Sequence, residues 1–311
     1  MRALVTGGAG FIGSNLVDAL VERGDDVVVV DNLSTGRIEN LQPALAQGVE
    51  LVEDSITDAA AMVKLAERVS PEAIFHFGAQ IDVRKSAADP AWDGQVNVIG
   101  TINMLEAARI SGAGRFVNSS TGGAIYGEGQ QLPAPETHPA VPEAPYGLSK
   151  WCAEQYCDFF RRFHGVPAVS LRYGNVYGPR QDPLGEAGVI AIFCGKLLAH
   201  EQPTIFGDGL QTRDYVHVSD VVAANLAAVA HPEATGAYNV GTGVESSVID
   251  LVDSLKRISG DDEFQPEFAP PRPGEVQHIA LDTTRARNEL GGWQSKVGLD
   301  EGLAGTLDSL R

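Results

Sequence analysis

The stretch that most constrains this chain is Val5-Thr6-Gly7-Gly8-Ala9-Gly10-Phe11-Ile12-Gly13, where an apolar run breaks into regularly spaced glycines and a helical pattern begins. Glycine allows a tight turn and lets backbone N–H groups approach a diphosphate, whose charge then sits at a helix N-terminus. A glycine pattern alone is weak. Here residues 2–7 read as the strand before it and 12–23 as the helix after it, and Asp31 closes the next apolar run 18 residues past Gly13. A carboxylate at that place can hold the ribose hydroxyls of adenosine and would repel a 2′-phosphate, so the pattern predicts NAD rather than NADP. Asp54, at the end of the third apolar run, reads equally as a contact to adenine or as a loop cap.

Strand and helix patterns continue to alternate beyond the turn. Nearly continuous Val- and Ile-rich runs at 25–32, 49–54, 72–79, 115–120 and 167–175 have the composition of strands buried on both faces. Helical patterns lie between them, at 12–23, about 93–111 and about 146–164, each ending at a glycine (Gly24, Gly112, Gly165) that suits a C-cap. The alternation predicts an α/β chain with a Rossmann-type, doubly wound parallel sheet. Residues 1–178 form its dinucleotide-binding domain, with returning segments near 214–243. Residues 179–311 form a smaller, interwoven C-terminal α/β domain for the substrate.

Composition narrows the partners. A net charge of −18 over 311 residues argues against nucleic acid or an anionic membrane. An anionic ligand must then be met by a few arginines gathered locally. The three cysteines (Cys152, Cys157, Cys194) match neither a disulfide framework nor metal-ligand spacing, and the seven histidines are scattered, so no metal is expected. The N-terminal residues lack the charged and apolar regions of a secretory signal, and no apolar run is long enough for a membrane helix. The expected location is the cytoplasm.

Two further stretches carry chemistry. "PYGLSK" sets Tyr146 and Lys150 four apart at a helix start, on one face. A cation beside a tyrosine favours the phenolate, which can take a proton from a substrate hydroxyl while hydride leaves the same carbon. "NSSTGGAIYG" (118–127) ends the fifth strand with hydroxyl residues and two glycines, and no acid stands among them.

With TGGAGFIG, the aspartate after strand two, and SST…YGLSK, the chain resembles the extended short-chain dehydrogenase/reductase family over nearly its whole length. It is most similar to the nucleotide-sugar epimerase branch. DNLSTGRIENL, HFGAQIDVRKS, NVIGT, LRYGNVYGPRQDP, GEAGVIAIF, IFGDGLQTRDYVHVSDV, YNVGTG and PPRPGE match as well. The resemblance implies a tightly bound NAD, regenerated each cycle and lined by Gly7, Gly10, Phe11, Ile12, Gly13, Asp31, Asn32, Asp54, Phe77, Ala79, Gln80, Tyr146, Lys150 and Tyr173. It implies Tyr146 and Lys150 as catalytic residues, with a catalytic hydroxyl that falls on Thr121 counted forward from the strand, and Ser120 as its neighbour. Counting back from Tyr126 lands on Gly122 instead, because GGAIYG is one residue longer than in many relatives.

Substrate contacts carried over in the same way are Thr121, Tyr146, Asn175, Val189 in the 186–193 segment, Thr204, Phe206, Arg213 and Arg272. The two arginines would pair with a diphosphate, as arginine does well. Ile279 falls where the family gates an N-acetyl group. The implied activity is 4-epimerisation of a UDP-hexose (UDP-glucose/UDP-galactose) through a transient 4-keto sugar, by a homodimer. UDP-glucuronate or UDP-N-acetylhexosamine 4-epimerases share the core chemistry. Nucleotide-sugar 4,6-dehydratases and uronate decarboxylases of the family are further rivals, but related dehydratases carry acids where this chain has Gly122 and Gly123. A non-catalytic dinucleotide sensor would usually lack the Tyr–Lys pair.

Overall fold

A computed structural model describes residues 1–128, 131–183, 188–272 and 276–311. Along the first half run β1 (Arg2–Thr6), α1 (Phe11–Glu22), β2 (Asp26–Asp31), α2 (Gln42–Leu45), β3 (Glu50–Glu53), α3 (Ala59–Val69), β4 (Ala73–His76), α4 (Val83–Ala88) and α5 (Pro90–Gly94). A π-helical segment (Gln95–Ile99) leads into α6 (Gly100–Ser111), β5 (Phe116–Thr121), α7 (Gly122–Ile125), α8 (Pro145–His164) and β6 (Ala168–Tyr173). Then come β7 (Asn175–Tyr177), α9 (Val189–Leu198), β8 (Thr204–Phe206), β9 (Thr212–Arg213), β10 (Tyr215–His217), α10 (Val218–Ala230) and β11 (Gly236–Val240). The chain closes with β12 (Ser246–Ser247), α11 (Val248–Ser259), β13 (Glu267–Ala269), α12 (Thr284–Glu289) and α13 (Leu299–Ser309).

Seven strands form one sheet in the order β11-β6-β5-β4-β1-β2-β3, and every pairing in it is parallel. The strand order reverses between β1 and β4, so the carboxyl ends of these strands flank the crevice where such sheets bind ligands. Both faces are covered, as the continuous apolar runs require. Leu16, Val17 and Leu20 of α1 and Val221, Ala224 and Ala228 of α10 bury one face against Val5, Phe75, Val117 and Leu171. On the other face Met62 and Leu65 of α3, Met104 and Leu105 of α6 and Phe160 of α8 pack on Leu4, Ile74 and Phe116.

The edge strand β11 and helix α10 come from late in the sequence, so the chain returns to the sheet after leaving it. A separate apolar cluster joins α9, α11 and α13 through Phe193, Leu251, Leu255, Leu303 and Leu307. Buried Asp214 ties the two regions. Its Oδ1 accepts from the Thr242 amide and hydroxyl (2.7 Å each), and its Oδ2 accepts from the amides of Gly243 and Leu281 (3.0 Å each).

The sequence pattern suggests one helix over about 93–111, but the structure breaks it at the π-helical segment. There the Asn97 side chain bonds to the Gln80 backbone through both ends, and its own carbonyl accepts the Thr101 hydroxyl at 2.7 Å. The tie to a neighbouring loop competes with the regular helical ladder, and single-turn π segments of this kind gather at functional sites.

Candidate active site

The glycines of the first turn are required by space as well as conformation. Gly7 has φ +68°, and a Cβ there would lie 2.6 Å from the Gly78 amide nitrogen. A Cβ at Gly13 would lie 2.3 Å from the Gly7 carbonyl oxygen. Gly10 precedes α1 without any side-chain cap, so the amides that open the helix at Phe11 and Ile12 are left for a ligand. At the end of β2, Asp31 accepts from the amides of Ala9 and Leu33 at 2.9 Å each. Burial raises its carboxyl above the ordinary range, and the two amides oppose that rise. Exposed Asn32 accepts from the Ser34 amide, and Asp54, past β3, accepts from its neighbour Ser55. An uncapped helix start, a crevice that a Cβ would fill and a carboxylate at the second strand together fit a dinucleotide.

The loop after β4 meets this turn from the other side of the crevice. Phe77 and Ala79 are half-buried in it. Gln80 turns inward: its Nε2 donates to the Asp82 carbonyl (2.9 Å) and Asp93 Oδ1 (2.8 Å), and its Oε1 accepts from the Asp82 amide. Tyr173 is likewise turned into the core, its hydroxyl accepting from Asn225 Nδ2 at 3.0 Å. The side chains of these two residues are therefore engaged within the protein.

Tyr146 and Lys150 come from the first turns of α8, which begins with Pro145 after extended Ala144. The Tyr146 amide donates to Ser86 Oγ (3.2 Å), which fixes the helix start against α4. One turn on, Lys150 is 6 % exposed and its Nζ donates to the Ser119 carbonyl at 3.0 Å, which binds the lysine to the end of β5. Burial pushes the Lys150 ammonium down to about 8, against the upward pull of Asp93, Cys157 and Glu154. Burial and Asp93 hold the Tyr146 hydroxyl above its ordinary range. A bound cation would draw it back down.

Thr121 and Ser120 face different surroundings. Thr121 ends β5 immediately before α7, and its hydroxyl makes no capping bond to that helix. A Cβ placed on Gly123 would lie 3.4 Å from Asn175 Oδ1 and 3.9 Å from Thr121 Oγ1, so Thr121, Gly123 and Asn175 adjoin. Ser120 instead donates to buried Glu154 Oε1. Glu154 in turn accepts from Arg172 Nε (3.0 Å) and from its terminal nitrogen (2.6 Å), and Arg172 donates to the Tyr126 hydroxyl at 2.9 Å. The backbone of Gly122 is close to Leu281: a Cβ there would be 2.6 Å from a methyl carbon. Sequence reasoning passed over Glu154, although Tyr146, Lys150 and Glu154 repeat at four-residue spacing on one helical face.

Farther out, Val189 opens α9 half-buried, while residues 186 and 187 of the expected contact segment lie outside the described residues. Thr204 is exposed and Phe206 half-buried on β8. The Arg272 guanidinium stacks over the Phe206 ring at 4.0 Å, and 273–275 of the PPRPGE motif lie outside the described residues. Arg213, on β9, is half-buried and donates to the Thr212 carbonyl at 2.8 Å. Ile279 is packed among Ile125, Tyr126, Ala134 and Leu281.

The architecture and sequence have relatives of known structure. The chain is 46% identical over 312 residues to a UDP-glucose 4-epimerase of Mycolicibacterium smegmatis, a match spanning 100% of this chain and 99% of that protein. It superposes with TM-score 0.94 and 47% identity on a UDP-glucose 4-epimerase of Thermotoga maritima solved with UDP-glucose, covering 100% of this chain and 99% of the other. A Thermus thermophilus UDP-glucose 4-epimerase in complex with NAD gives TM-score 0.91 and 41% identity, again over 100% and 99% of the two chains. Residues 4–306 match the family model described as GDP-mannose 4,6 dehydratase. The chain belongs to that family, within the extended short-chain dehydrogenases/reductases.

Proposed function

We propose that this protein interconverts UDP-glucose and UDP-galactose by NAD-dependent 4-epimerisation through a transient 4-keto sugar, as an isomerase. The observation that carries the reading is the set at the end of β5 and the start of α8: Lys150 bonded to the Ser119 carbonyl, Tyr146 one turn before it, and Thr121, whose hydroxyl makes no capping bond to α7. Bound NAD supplies the hydride acceptor and donor and is regenerated within each cycle. Gly7, Gly10, Phe11, Ile12, Gly13, Asp31 and the loop through Phe77 and Ala79 would hold it, with Lys150 also reaching the nicotinamide ribose.

Tyr146, as the phenolate, accepts the proton of the sugar C4 hydroxyl, and the Lys150 ammonium stabilises that phenolate. Thr121 Oγ1 hydrogen-bonds the C4 oxygen while its charge changes. Arg213 and Arg272 hold the diphosphate and Asn175, Val189, Thr204 and Phe206 border the nucleotide, so the sugar can turn over while its anchor stays. Tyr146 then returns the proton with the opposite face presented.

The absence of a carboxylate beside Thr121 supports epimerisation over elimination of water, which needs an acid and a base near C5 and C6. An acidic side chain at Gly122 would also start 2.6 Å from Leu281. The matching family is described as GDP-mannose 4,6 dehydratase, but this chain has Gly122 and Gly123 at the positions after Thr121 where related dehydratases carry acids.

A homodimer built on α6 and α8 accounts for the apolar side chains these neighbouring helices expose, among them Ile110, Tyr156, Phe159 and Phe163. A cytoplasmic setting suits three free cysteines, two of them buried. Among the described residues no helix is long and apolar enough to cross a membrane.

Incubation without added NAD, in parallel with UDP-glucose, UDP-N-acetylglucosamine, UDP-glucuronate and dTDP-glucose, tests the substrate and the retained cofactor together. The expected product is UDP-galactose from UDP-glucose. A 4-keto-6-deoxy sugar as product would overturn the assignment.

A further inference from the structure

Asp93 is a buried carboxylate that the epimerisation steps leave unused. It lies on α5, just before the π-helical segment, and is 0 % exposed. Its Oδ1 accepts from Gln80 Nε2 (2.8 Å) and Asn97 Nδ2 (3.0 Å). Its Oδ2 has no hydrogen-bond partner among the described residues. A carboxylate held in the interior with one oxygen unmatched calls for a compensating positive charge.

The charges around α8 identify that partner. Helix α5 packs on α8, which carries Tyr146 and Lys150, and Asp93 acts electrostatically on both. Glu154, the other carboxylate near Lys150, is already saturated by Ser120 and by the Arg172 guanidinium behind it on β6. From β4, His76 is neutral, pushed down to about 3 by burial and Lys150. Cys157, on α8 itself, is pushed up to about 12 by burial and remains a thiol. On α4, Arg84 and Lys85 are exposed, and Lys85 pairs with the capping Asp82 at 3.6 Å. On α6, Glu106 and Arg109 pair with each other at the surface. Asp93, on the helix packed against α8, thus acts on Lys150 with one buried oxygen that has no hydrogen-bond partner among the described residues.

We propose that Asp93 is a positioning residue for the reaction, a buried counter-charge that keeps the Lys150 side chain an ammonium beside Tyr146. Gln80 and Asn97 hold it in place through Oδ1, and Oδ2 has no hydrogen-bond partner among the described residues. The proposal rests on the epimerase reading and extends it beyond the Tyr146–Lys150–Thr121 set. Its sign follows from charge. A nearby negative charge favours the protonated form of both groups, so its removal lets the phenolate form at lower pH and lets the ammonium be lost at lower pH.

The test compares Asp93→Asn, Asp93→Glu and the wild-type holoenzyme in the pH dependence of kcat/KM with UDP-glucose. Both limbs of the Asp93→Asn profile are expected about one pH unit lower, while Asp93→Glu, which keeps the charge, retains the wild-type limbs. A uniform loss of activity with unmoved limbs would mark a purely structural residue and overturn the proposal. A second readout needs no turnover: thermal melting of Asp93→Asn, Lys150→Met and the double variant at neutral pH. Removing both charges is expected to leave a protein that melts higher than the two single losses added together predict. Strict additivity would overturn the pairing. A wild-type enzyme that melts and binds NAD but never epimerises would overturn the functional reading, and the catalytic part of this proposal with it. An active wild type with unmoved limbs and an additive cycle would overturn the Asp93 proposal alone.

Discussion

Neighbouring residues at the end of β5 illustrate how one position in a strand divides chemistry from structure. Side chains alternate across a strand, so Ser120 and Thr121 cannot share surroundings. Ser120 is bonded to Glu154 in the interior, whereas the Thr121 hydroxyl is left beside Gly123 and Asn175. Thr121→Ala is therefore expected to lower kcat by about 10–100-fold with little change in melting temperature. Ser120→Ala is expected to keep most of the activity and to cost about 1–2 kcal/mol of stability, because Glu154 loses a donor. Paired kinetics and melting curves separate the two; the reverse pattern would move the catalytic hydroxyl to Ser120. In the sequence, counting forward from the strand falls on Thr121 and counting back from Tyr126 falls on Gly122, so neither count separates Thr121 from its neighbour Ser120; the surroundings of each hydroxyl do. Glu154, by contrast, lies at helical spacing from Tyr146 and Lys150 and was legible in principle.

At the scale of elements, the strands and the glycine turn were legible because burial on both faces leaves a continuous apolar signal and backbone crowding demands glycine. What the pattern could not disclose is where side-chain bonds override helical periodicity, as they do at Gln95–Ile99. The same region contains a buried chain that joins β1, β4 and α6. Gly78 N–H donates to Thr6 Oγ1 (2.9 Å), which pairs with His76 Nδ1 (2.8 Å); His76 Nε2 pairs with Thr101 Oγ1 (3.0 Å), which donates to the Asn97 carbonyl (2.7 Å). Because the Thr101 proton is used on Asn97, Nε2 carries the imidazole proton and Nδ1 accepts from Thr6.

That chain has a consequence for acid stability. Burial pushes His76 from its ordinary 6.5 down to about 3, so between these values the unfolded chain binds a proton that the folded one does not. Stability from this site is thus complete above about pH 6.5 and is lost as pH falls towards 3. Melting curves across that range are expected to fall less steeply in His76→Gln than in the wild type; parallel slopes would remove His76 from the acid response.

For the whole molecule, the less regular second half of the sequence reads as a unit interwoven with the first, while the exact strand partners are not legible in it. No local pattern announces that Gly236–Val240 will pair with Ala168–Tyr173, because strand order depends on contacts distant in sequence. The exposed aromatic face of α8 belongs to this scale too. Phe159 and Phe163 stack at 4.8 Å, and Phe163 is 64 % exposed, an unusual position for so large an apolar ring. Phe163→Glu is expected to convert a dimer into a monomer in sedimentation experiments without abolishing NAD binding. A wild-type protein that sediments as a monomer would refute the packing proposed for this face.

In the proposed reaction one carbon of the sugar loses and regains hydride within the same site while Tyr146 accepts and returns the proton. Conversion of UDP-glucose deuterated at C4, followed by NMR of the product, tests it most directly. The expected result is UDP-galactose with deuterium still at C4 and none released to water. Deuterium found at C6 of a 4-keto-6-deoxy sugar, or washed into solvent, would contradict it.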